Sequence, residues 1–181
     1  MSKIVIVGGV AGGATAAARL RRLDEKAEII VIERTGFVSY ANCGLPYYVG
    51  GVIEDQDDLT LQSPQSFFSR FNIDVRVSSE VTSIDRANKT VTVFSLDEGR
   101  EYVESYDKLI LSPGAKAMIP DTPGVYSDRV LTLRTVEDAL KMRELIEEEH
   151  PERAVVVGGG FIGLETAENL MEAGVKVLSL I

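Results

Sequence analysis

The chain has very little cysteine, no tryptophan and fewer basic than acidic residues. One cysteine, Cys43, among 181 residues excludes an internal disulfide, a pair of redox cysteines and a zinc site built on cysteines. Nineteen Lys and Arg residues against 28 Asp and Glu residues leave a net charge of −9, and such a field repels nucleic acid. The sequence therefore predicts no metal site and no nucleic-acid partner.

Long hydrophobic runs are also absent. No apolar run approaches the roughly 20 residues that span a bilayer, and the glycines between positions 8 and 13 are unfavourable for the helical core of a secretory signal. With 45% hydrophobic and 26% charged residues, the composition is typical of a folded globular protein. We expect no membrane association, and the single cysteine fits the reducing cytoplasm.

The N-terminal region has the pattern of a strand, a glycine turn, a helix and a second strand. Residues 4–7 form a short β-branched run, the GGVAGG turn follows at 8–13, and the segment 14–23 is typical of a helix. A second buried strand is predicted at 29–32. This order is that of a βαβ unit in a parallel sheet.

The glycine turn predicts the binding of a dinucleotide. Gly8 allows a sharp turn, and Gly12 and Gly13 permit close approach, although Val10 stands where the GxGxxG motif has its middle glycine. The N–H groups at the start of the helix favour a pyrophosphate. Glu33, at the end of the second strand, is placed to accept hydrogen bonds from ribose hydroxyls.

From position 73 the pattern changes to β. EVTSID and KTVTVF predict two strands joined by a turn at 86–88, and EYVESYDKLILSPGA predicts one further strand that ends at a Pro-Gly break. We therefore expect a β-meander inserted in the α/β domain. A short helix is predicted to begin after Ser63, and an amphipathic helix is predicted to end at Pro151.

The glycine turn recurs 150 residues later. AVVVGGGFIG at 154–163 aligns with IVIVGGVAGG, and Gly158, Gly160 and Gly163 complete the GxGxxG motif. Two such turns in one chain predict two dinucleotide cofactors that exchange electrons.

The second copy stops after one strand, one helix and one strand. The counterpart of Glu33 falls at Ile181 or at the next position. Because a two-stranded sheet cannot cover its own hydrophobic faces, we expect residues 151–181 to be the start of an incomplete domain. We also expect the 181-residue chain alone to be inactive as an enzyme.

Cys43 lies between the two glycine turns, in SYANCGLPYYVGG. A helix that opens after it would favour a reactive thiolate, whereas a small buried hydrophobe is the ordinary state of a free cysteine. Ser39 and Asn42 have side chains that either hydrogen-bond a ligand of the thiol or cap the helix. The residues alone leave both pairs of alternatives open.

Thr15, Arg19 and Arg22 have the spacing i, i+4, i+7 and share one face of the predicted helix. Two guanidinium groups on one face fit the phosphates of a ligand. A solvated basic face is the alternative.

Taken together, these motifs resemble those of a known family. IVIVGGVAGG, Glu33, SYANCGLP, LILSPGA, LRTVEDA and VVVGGGFIGLE occur in this order. They are similar to the single-cysteine branch of the FAD-dependent pyridine nucleotide-disulfide oxidoreductases, and most of all to its coenzyme A-disulfide reductases, including those fused to a rhodanese domain. The resemblance extends over the whole chain.

The resemblance implies an α/β fold with three segments. They are a Rossmann-like FAD-binding domain with an inserted β-meander at 1–115, a connector with an amphipathic helix at 116–150, and the start of a Rossmann-like NAD(P)-binding domain at 151–181.

The resemblance also implies a role for individual residues. Cys43 becomes the redox nucleophile. The FAD contacts fall on Gly8, Gly9, Ala11, Gly12, Gly13, Glu33, Val81, Ser112 and Gly114. The NAD(P)H contacts fall on Gly158, Gly160 and Gly163, and the coenzyme A contacts fall on Thr15, Arg19, Arg22, Ser39 and Asn42.

The implied activity is the reduction of a low-molecular-weight disulfide, such as coenzyme A disulfide or coenzyme A persulfide, with electrons from NAD(P)H and FAD, in a homodimer. One alternative is an NADH oxidase or peroxidase of the same family, in which the cysteine is oxidised to sulfenic acid. Another is a flavin-binding module without turnover. Phe71 stands where some relatives have a lysine for the coenzyme A phosphates, so another small thiol or disulfide is an alternative partner.

Overall fold

The computed structural model describes residues 2–180, and the chain divides into two compact units. The first unit comprises the residues up to Tyr40 and Thr60–Ala115, and the second comprises Ala41–Leu59 and the residues from Lys116 onward. Ile181, one of the two positions predicted to correspond to Glu33, lies outside the described residues. The predicted assignment of segments to cofactors stays a prediction.

Strands and helices alternate near both ends of the chain, whereas five strands follow one another in its middle. Short 3₁₀ turns lie at Asn42–Gly44 and Gln56–Leu59. The other elements, in chain order, are β1 (Lys3–Val7), α1 (Ala11–Leu23), β2 (Glu28–Ile32), α2 (Leu45–Val49), α3 (Pro64–Phe71), β3 (Asp74–Arg76), β4 (Ser79–Asp85), β5 (Thr90–Ser95), β6 (Arg100–Ser105), β7 (Lys108–Leu111), α4 (Val136–Glu149), β8 (Arg153–Val157), α5 (Phe161–Glu172) and β9 (Lys176–Leu180).

The first unit is built on a parallel sheet in the order β3-β2-β1-β7. Val5 of β1 pairs with Ile30 of β2 and with Leu109 of β7. The strands are rich in Ile and Val because both faces of the sheet are covered. Ile4 and Ile6 pack on one face with residues of α1 and α3, whereas Val5 packs on the other face with residues of β5. The predicted βαβ unit is confirmed.

The helix α3 begins where the sequence predicts it. Ser63 is its N-cap, with Pro64 at the first position, and the Ser63 and Ser66 side chains each accept a hydrogen bond from the other's backbone N–H. Such a capping box stabilises a helix start by about 1 kcal/mol.

The predicted meander is confirmed as the antiparallel sheet β4-β5-β6, but the strand predicted in EYVESYDKLILSPGA is wrong in one respect. The segment forms two strands: β6 completes the meander, while β7 joins the parallel sheet beside β1. The break lies at Asp107, whose side chain accepts a hydrogen bond from the N–H of Lys3 and whose N–H donates to the carbonyl of Lys3. These two bonds place β7 in register with β1.

A cluster of charges fixes β6 against the parallel sheet. Glu104 of β6 accepts hydrogen bonds from Lys3 and Arg76, which also pair with Glu28 and Asp74. Burial alone would raise the pKa of Glu104, but the hydrogen bonds from Lys3 and Arg76 outweigh it and hold this pKa below its usual value. The hydrogen bond with Glu104 raises the pKa of Lys3.

We expect this cluster to make unfolding sensitive to acid. A carboxyl whose pKa is lowered by folding stabilises the fold above its unfolded pKa, about 4.3 for glutamate, and this stabilisation is lost as the pH falls through the lower folded pKa. Glu104→Gln should therefore lower the free energy of unfolding by about 2 kcal/mol at neutral pH and by less in acid. Urea unfolding at several pH values measures the difference, and Glu101→Gln, on the exposed side of the same strand, is the control. If the difference in the free energy of unfolding between the parent and Glu104→Gln grows in acid, the conclusion that folding lowers the pKa of Glu104 is wrong.

The second unit contains the repeated βαβ pattern. Strands β8 and β9 are parallel with α5 between them, as the alignment of the two glycine turns predicts. The predicted amphipathic helix is α4, which begins in a capping box of Thr135 and Asp138. One face of the two strands is uncovered in the part of the chain that the structure describes, since Val155, Val157 and Leu178 are exposed.

The segment 41–59 packs within this second unit, with α2 in contact with α4 and α5. Nothing in the sequence pattern of this segment indicates the placement. Within residues 2–180, none of the helices has the length and apolar character that crossing a membrane requires.

Candidate functional site

The first glycine turn leaves no room for side chains at two positions. Gly8 has a φ of +95°, and a Cβ there would lie 2.0 Å from the carbonyl oxygen of Ser112. A Cβ on Gly13 would lie 1.8 Å from the carbonyl oxygen of Gly8. The strand end, the start of α1 and the end of β7 therefore meet backbone to backbone at this turn.

The start of α1 offers unpaired backbone donors. Its N-cap is Val10, whose side chain makes no capping hydrogen bond, and the first intrahelical bond runs from the N–H of Ala14 to Val10. Among the described residues, no group accepts from the N–H groups of Ala11, Gly12 and Gly13. Three free N–H groups at the positive end of a helix fit a pyrophosphate.

Glu33 is a buried carboxylate, 6% exposed, that holds the glycine turn. Its Oε2 accepts from the N–H of Gly9 at 2.7 Å. Its Oε1 accepts from both the N–H and the hydroxyl of Thr35 at 2.9 Å. The predicted role of Glu33 as a ribose acceptor stays a prediction, and no sequence pattern indicates the contact with Thr35. The structure shows that Glu33 also braces the turn.

The structure brings Ser112 to the glycine turn, whereas Val81 lies in a different environment. The N–H of Ser112 donates to Val7, and its hydroxyl lies 3.2 Å from the position of a Cβ on Gly12. Gly114 follows with a positive φ of 70°. Val81 packs against the core cluster on the meander side of the sheet, so its contact with a cofactor stays a prediction.

The outer face of α1 is basic and exposed. Thr15, Arg19 and Arg22 are all exposed, and neither Arg19 nor Arg22 has an ion-pair partner among the described residues. Arg21, between them, donates instead to the carbonyls of Phe71 and Asn72 at the end of α3. Arg21 is therefore structural, and the other two guanidinium groups are available to a ligand.

The second glycine turn repeats the geometry of the first at one position. A Cβ on Gly163 would lie 2.0 Å from the carbonyl oxygen of Gly158, which matches the contact between Gly13 and Gly8. Gly158 has a φ of +117°, but no atom among the described residues lies within 4 Å of a Cβ built on Gly158 or on Gly160. This turn is open on the side where Ser112 closes the first turn.

Cys43 is exposed, in the 3₁₀ turn that leads into α2. The interpretation as a small buried hydrophobe is therefore wrong. The capping interpretation of the neighbouring polar residues is also wrong, because no side chain caps α2, whose N-cap is Gly44. Ser39 instead has a positive φ of 51° and donates its N–H to Gly9, while Asn42 accepts a hydrogen bond from Arg134.

Arg143 of α4 holds the segment that follows Cys43. Its Nη1 donates to the carbonyls of Tyr48 and Ile53 at 3.1 and 2.8 Å, and its guanidinium lies 4.6 Å from the centre of the Tyr48 ring. On the other side, a Cβ on Gly50 would lie 2.7 Å from the side chain of Asn169 in α5. The cysteine turn is thus supported by two helices of its own unit.

The comparisons with known proteins agree on one family. Residues 2–181 match the family model described as pyridine nucleotide-disulphide oxidoreductase. The coenzyme A disulfide reductase of Staphylococcus epidermidis is 45% identical over 177 residues, which are 98% of this chain and 40% of that protein. The chain thus spans about two fifths of the length of this curated relative.

Two solved structures are similar over nearly the whole chain. The crystal structure of reduced Bacillus anthracis CoADR-RHD has a TM-score of 0.96 and 50% identity, and the match covers 98% of this chain and 32% of that one. The water-forming NADH oxidase from Lactobacillus brevis, bound to NADH, has a TM-score of 0.90 and 33% identity, and the match covers 99% of this chain and 39% of that one.

Proposed function

The chain belongs to the pyridine nucleotide-disulphide oxidoreductase family, and from this premise we propose that it uses FAD and NAD(P)H to reduce a disulfide or persulfide of coenzyme A at Cys43. The proposal rests mainly on one observation: the chain's single cysteine is exposed, in a protein with two glycine turns that share one close backbone contact. The similarity to a curated coenzyme A disulfide reductase supports this choice of substrate.

The residues of the first turn fit FAD. The free N–H groups of Ala11, Gly12 and Gly13 would hold the pyrophosphate, and Glu33 lies at the strand end where a ribose hydroxyl is expected. The second turn, at Gly158–Gly163, would hold the nicotinamide nucleotide in the same way. When bound, FAD supplies the transfer of two electrons from NAD(P)H to the disulfide formed at the cysteine.

Cys43 would act as the nucleophile in thiol-disulfide exchange. Its thiolate attacks one sulfur of coenzyme A disulfide, a new bond forms between the two sulfurs, and the second coenzyme A leaves as a thiolate. Two electrons and one proton then convert the mixed disulfide to the Cys43 thiolate and a coenzyme A thiol. The exposure of Cys43 gives the disulfide access to the sulfur.

Recognition of coenzyme A is assigned to the exposed face of α1. Arg19 and Arg22 have no carboxylate partner among the described residues, so their guanidinium groups are free to bind the phosphates of coenzyme A. Thr15 adds a hydroxyl one turn earlier. Ser39 and Asn42 precede Cys43 in sequence and are assigned to the ligand near its sulfur.

The test is the intact mass of the purified chain after incubation with coenzyme A disulfide. We expect a yellow protein that gains one coenzyme A, and we expect Cys43→Ser to gain none. A parent that forms no adduct with coenzyme A disulfide but gains oxygen on Cys43 when treated with dilute peroxide would contradict the proposal and favour the oxidase or peroxidase branch.

A second part of the same experiment tests recognition. Arg19→Ala combined with Arg22→Ala should slow adduct formation about tenfold and leave the rate with neutral iodoacetamide unchanged. Lys26→Ala combined with Arg86→Ala removes the same charge from exposed positions of the same unit and should leave both rates unchanged. Equal slowing by the two double variants would show a general effect of charge and not a binding face.

A further inference from the structure

We infer that Arg134 is a positioning residue of the cysteine site, which acts by fixing the side-chain amide of Asn42 with its NH₂ group free to donate to the ligand. The inference rests on the proposed function, because it concerns the same thiol.

The contact between Arg134 and Asn42 joins two distant parts of the chain. The Nη1 of Arg134 donates to the Oδ1 of Asn42 at 3.1 Å, across 92 positions of sequence. Both residues belong to the second unit. Arg134 is half-buried and forms no ion pair with a carboxylate in the part of the chain that the structure describes.

The backbone of Arg134 is itself fixed at the start of α4. The Oδ2 of Asp138 accepts from the N–H of Arg134 at 2.8 Å and from the N–H of Thr135 at 3.1 Å. The N–H of Asp138 in turn donates to the hydroxyl of Thr135 at 3.3 Å. The guanidinium group therefore projects from a closed capping box, and the loop at 116–134 does not set its place alone.

A guanidinium group has donors and no acceptor. It can therefore pair with the amide oxygen of Asn42 but not with the amide nitrogen, and this settles the orientation of the amide. No described residue accepts from the NH₂ group of Asn42. In the residue that precedes Cys43 in sequence, the chain thus offers two free N–H donors, while the amide oxygen is bound by Arg134.

Such donors suit the chemistry at this thiol. When the Cys43 thiolate attacks a disulfide, negative charge moves to the departing sulfur. An amide NH₂ group that reaches the reacting sulfurs would stabilise that charge, whereas an amide oxygen in the same place would repel it. Arg134 would therefore favour exchange without touching the ligand.

Arg143 provides the matched comparison. It lies in α4, which begins just after Arg134, and it holds the same segment, but through the carbonyls of Tyr48 and Ile53 and the Tyr48 ring. In the part of the chain that the structure describes, Arg143 donates no hydrogen bond to Asn42. Loss of Arg143 loosens the segment, whereas loss of Arg134 frees one particular amide.

The experiment is a double-mutant cycle on the rate at which Cys43 forms a mixed disulfide, followed by intact mass. Arg134→Gln should slow the reaction with coenzyme A disulfide about tenfold, and it should cause no further slowing once Asn42 is alanine. Arg134→Lys, which keeps the charge, should recover part of the rate. Any slowing caused by Arg143→Gln should persist in the Asn42→Ala background, because that effect does not pass through the amide.

Asn42→Asp tests the donor directly. This change keeps the contact with Arg134 as an ion pair but removes both N–H donors, so the rate should fall at least as far as in Asn42→Ala. Even if Arg134→Gln does not fold, the Asn42→Asp result shows whether the N–H donors of residue 42 are needed. A parental rate in Asn42→Asp, a parental rate in Arg134→Gln, or equal slowing by Arg134→Gln with and without Asn42 would overturn the inference.

Measurements with a second disulfide distinguish a failure of this inference from a failure of the proposed substrate. The same cycle is measured with the aromatic disulfide dithiobis(nitrobenzoic acid). If the parent reacts with it and not with coenzyme A disulfide, the proposed substrate is wrong, and the cycle with the aromatic disulfide still decides the role of Arg134. If Cys43 reacts with neither disulfide, both the proposed function and the inference are wrong.

Discussion

Replacing Gly13 with valine should abolish the retention of FAD. A Cβ at this position would lie 1.8 Å from the carbonyl oxygen of Gly8 and 3.2 Å from the Cγ2 atom of Ile6. Because the closest atom belongs to the backbone, no change of rotamer relieves the overlap. The strand and the helix must separate at a cost of about 3 kcal/mol or more, which displaces the N–H groups assigned to the pyrophosphate.

The chain contains its own control for this change. Gly163→Val would create nearly the same overlap, 2.0 Å from the carbonyl oxygen of Gly158, but in the second turn. It should leave the flavin content unchanged. The measurement is the visible absorbance per folded chain, with circular dichroism to confirm folding. If Gly13→Val is folded and retains as much flavin as the parent, the assignment of FAD to the first turn is wrong.

Glu33→Gln should weaken FAD binding nearly as strongly. The carboxylate accepts three hydrogen bonds, one from Gly9 on one oxygen and two from Thr35 on the other. Glutamine has one oxygen and one NH₂ group, so either Gly9 or Thr35 faces a donor and loses its acceptor. A buried donor left unsatisfied costs about 2 kcal/mol, and here that cost falls on the turn that must hold the pyrophosphate.

We expect the dissociation constant for FAD to rise by about tenfold or more in Glu33→Gln. Equilibrium titration of the chain with FAD measures it. Glu28→Gln removes the same charge from the exposed start of the same strand and should leave the constant unchanged. Equal affinity in Glu33→Gln and the parent would show that the carboxylate supports neither the turn nor the ribose.

Local sequence patterns were sufficient for the elements that depend on neighbouring residues. The spacing of Gly8, Gly13 and Glu33 predicts the strand, the turn and the second strand, because these residue types recur at these positions of a βαβ unit. The repeat at Gly158–Gly163 follows for the same reason. The helix starts at Ser63 and Thr135 are likewise set by side chains within one turn.

Contacts between distant residues were beyond the same reasoning. The break between β6 and β7 depends on Asp107 binding Lys3, which lies 104 positions earlier. The apolar pattern runs across this break and predicts one strand. The support of Glu33 by Thr35 was missed as well, because a threonine after a strand is ordinary in sequence and acquires meaning only from its distance to the carboxylate.

The placement of the cysteine segment was also not predictable. Residues 41–59 mix Gly, Pro and aromatic residues without a regular period, so their partners are not encoded in any local pattern. Arg134 and Arg143 reach this segment from about 90 positions away in sequence. Only the type of each residue, and not its partner, can be inferred from the chain alone.

The membership of residues 41–59 in the second unit has a consequence for synthesis on the ribosome. The first unit needs only residues up to Ala115, so its parallel sheet can form early, while α2 must wait for α4 and α5 to emerge. Closing such long loops slows folding. We therefore expect Cys43 to spend the interval on the nascent chain without the support of Arg134, so that the cysteine turn is among the last parts of these 181 residues to mature.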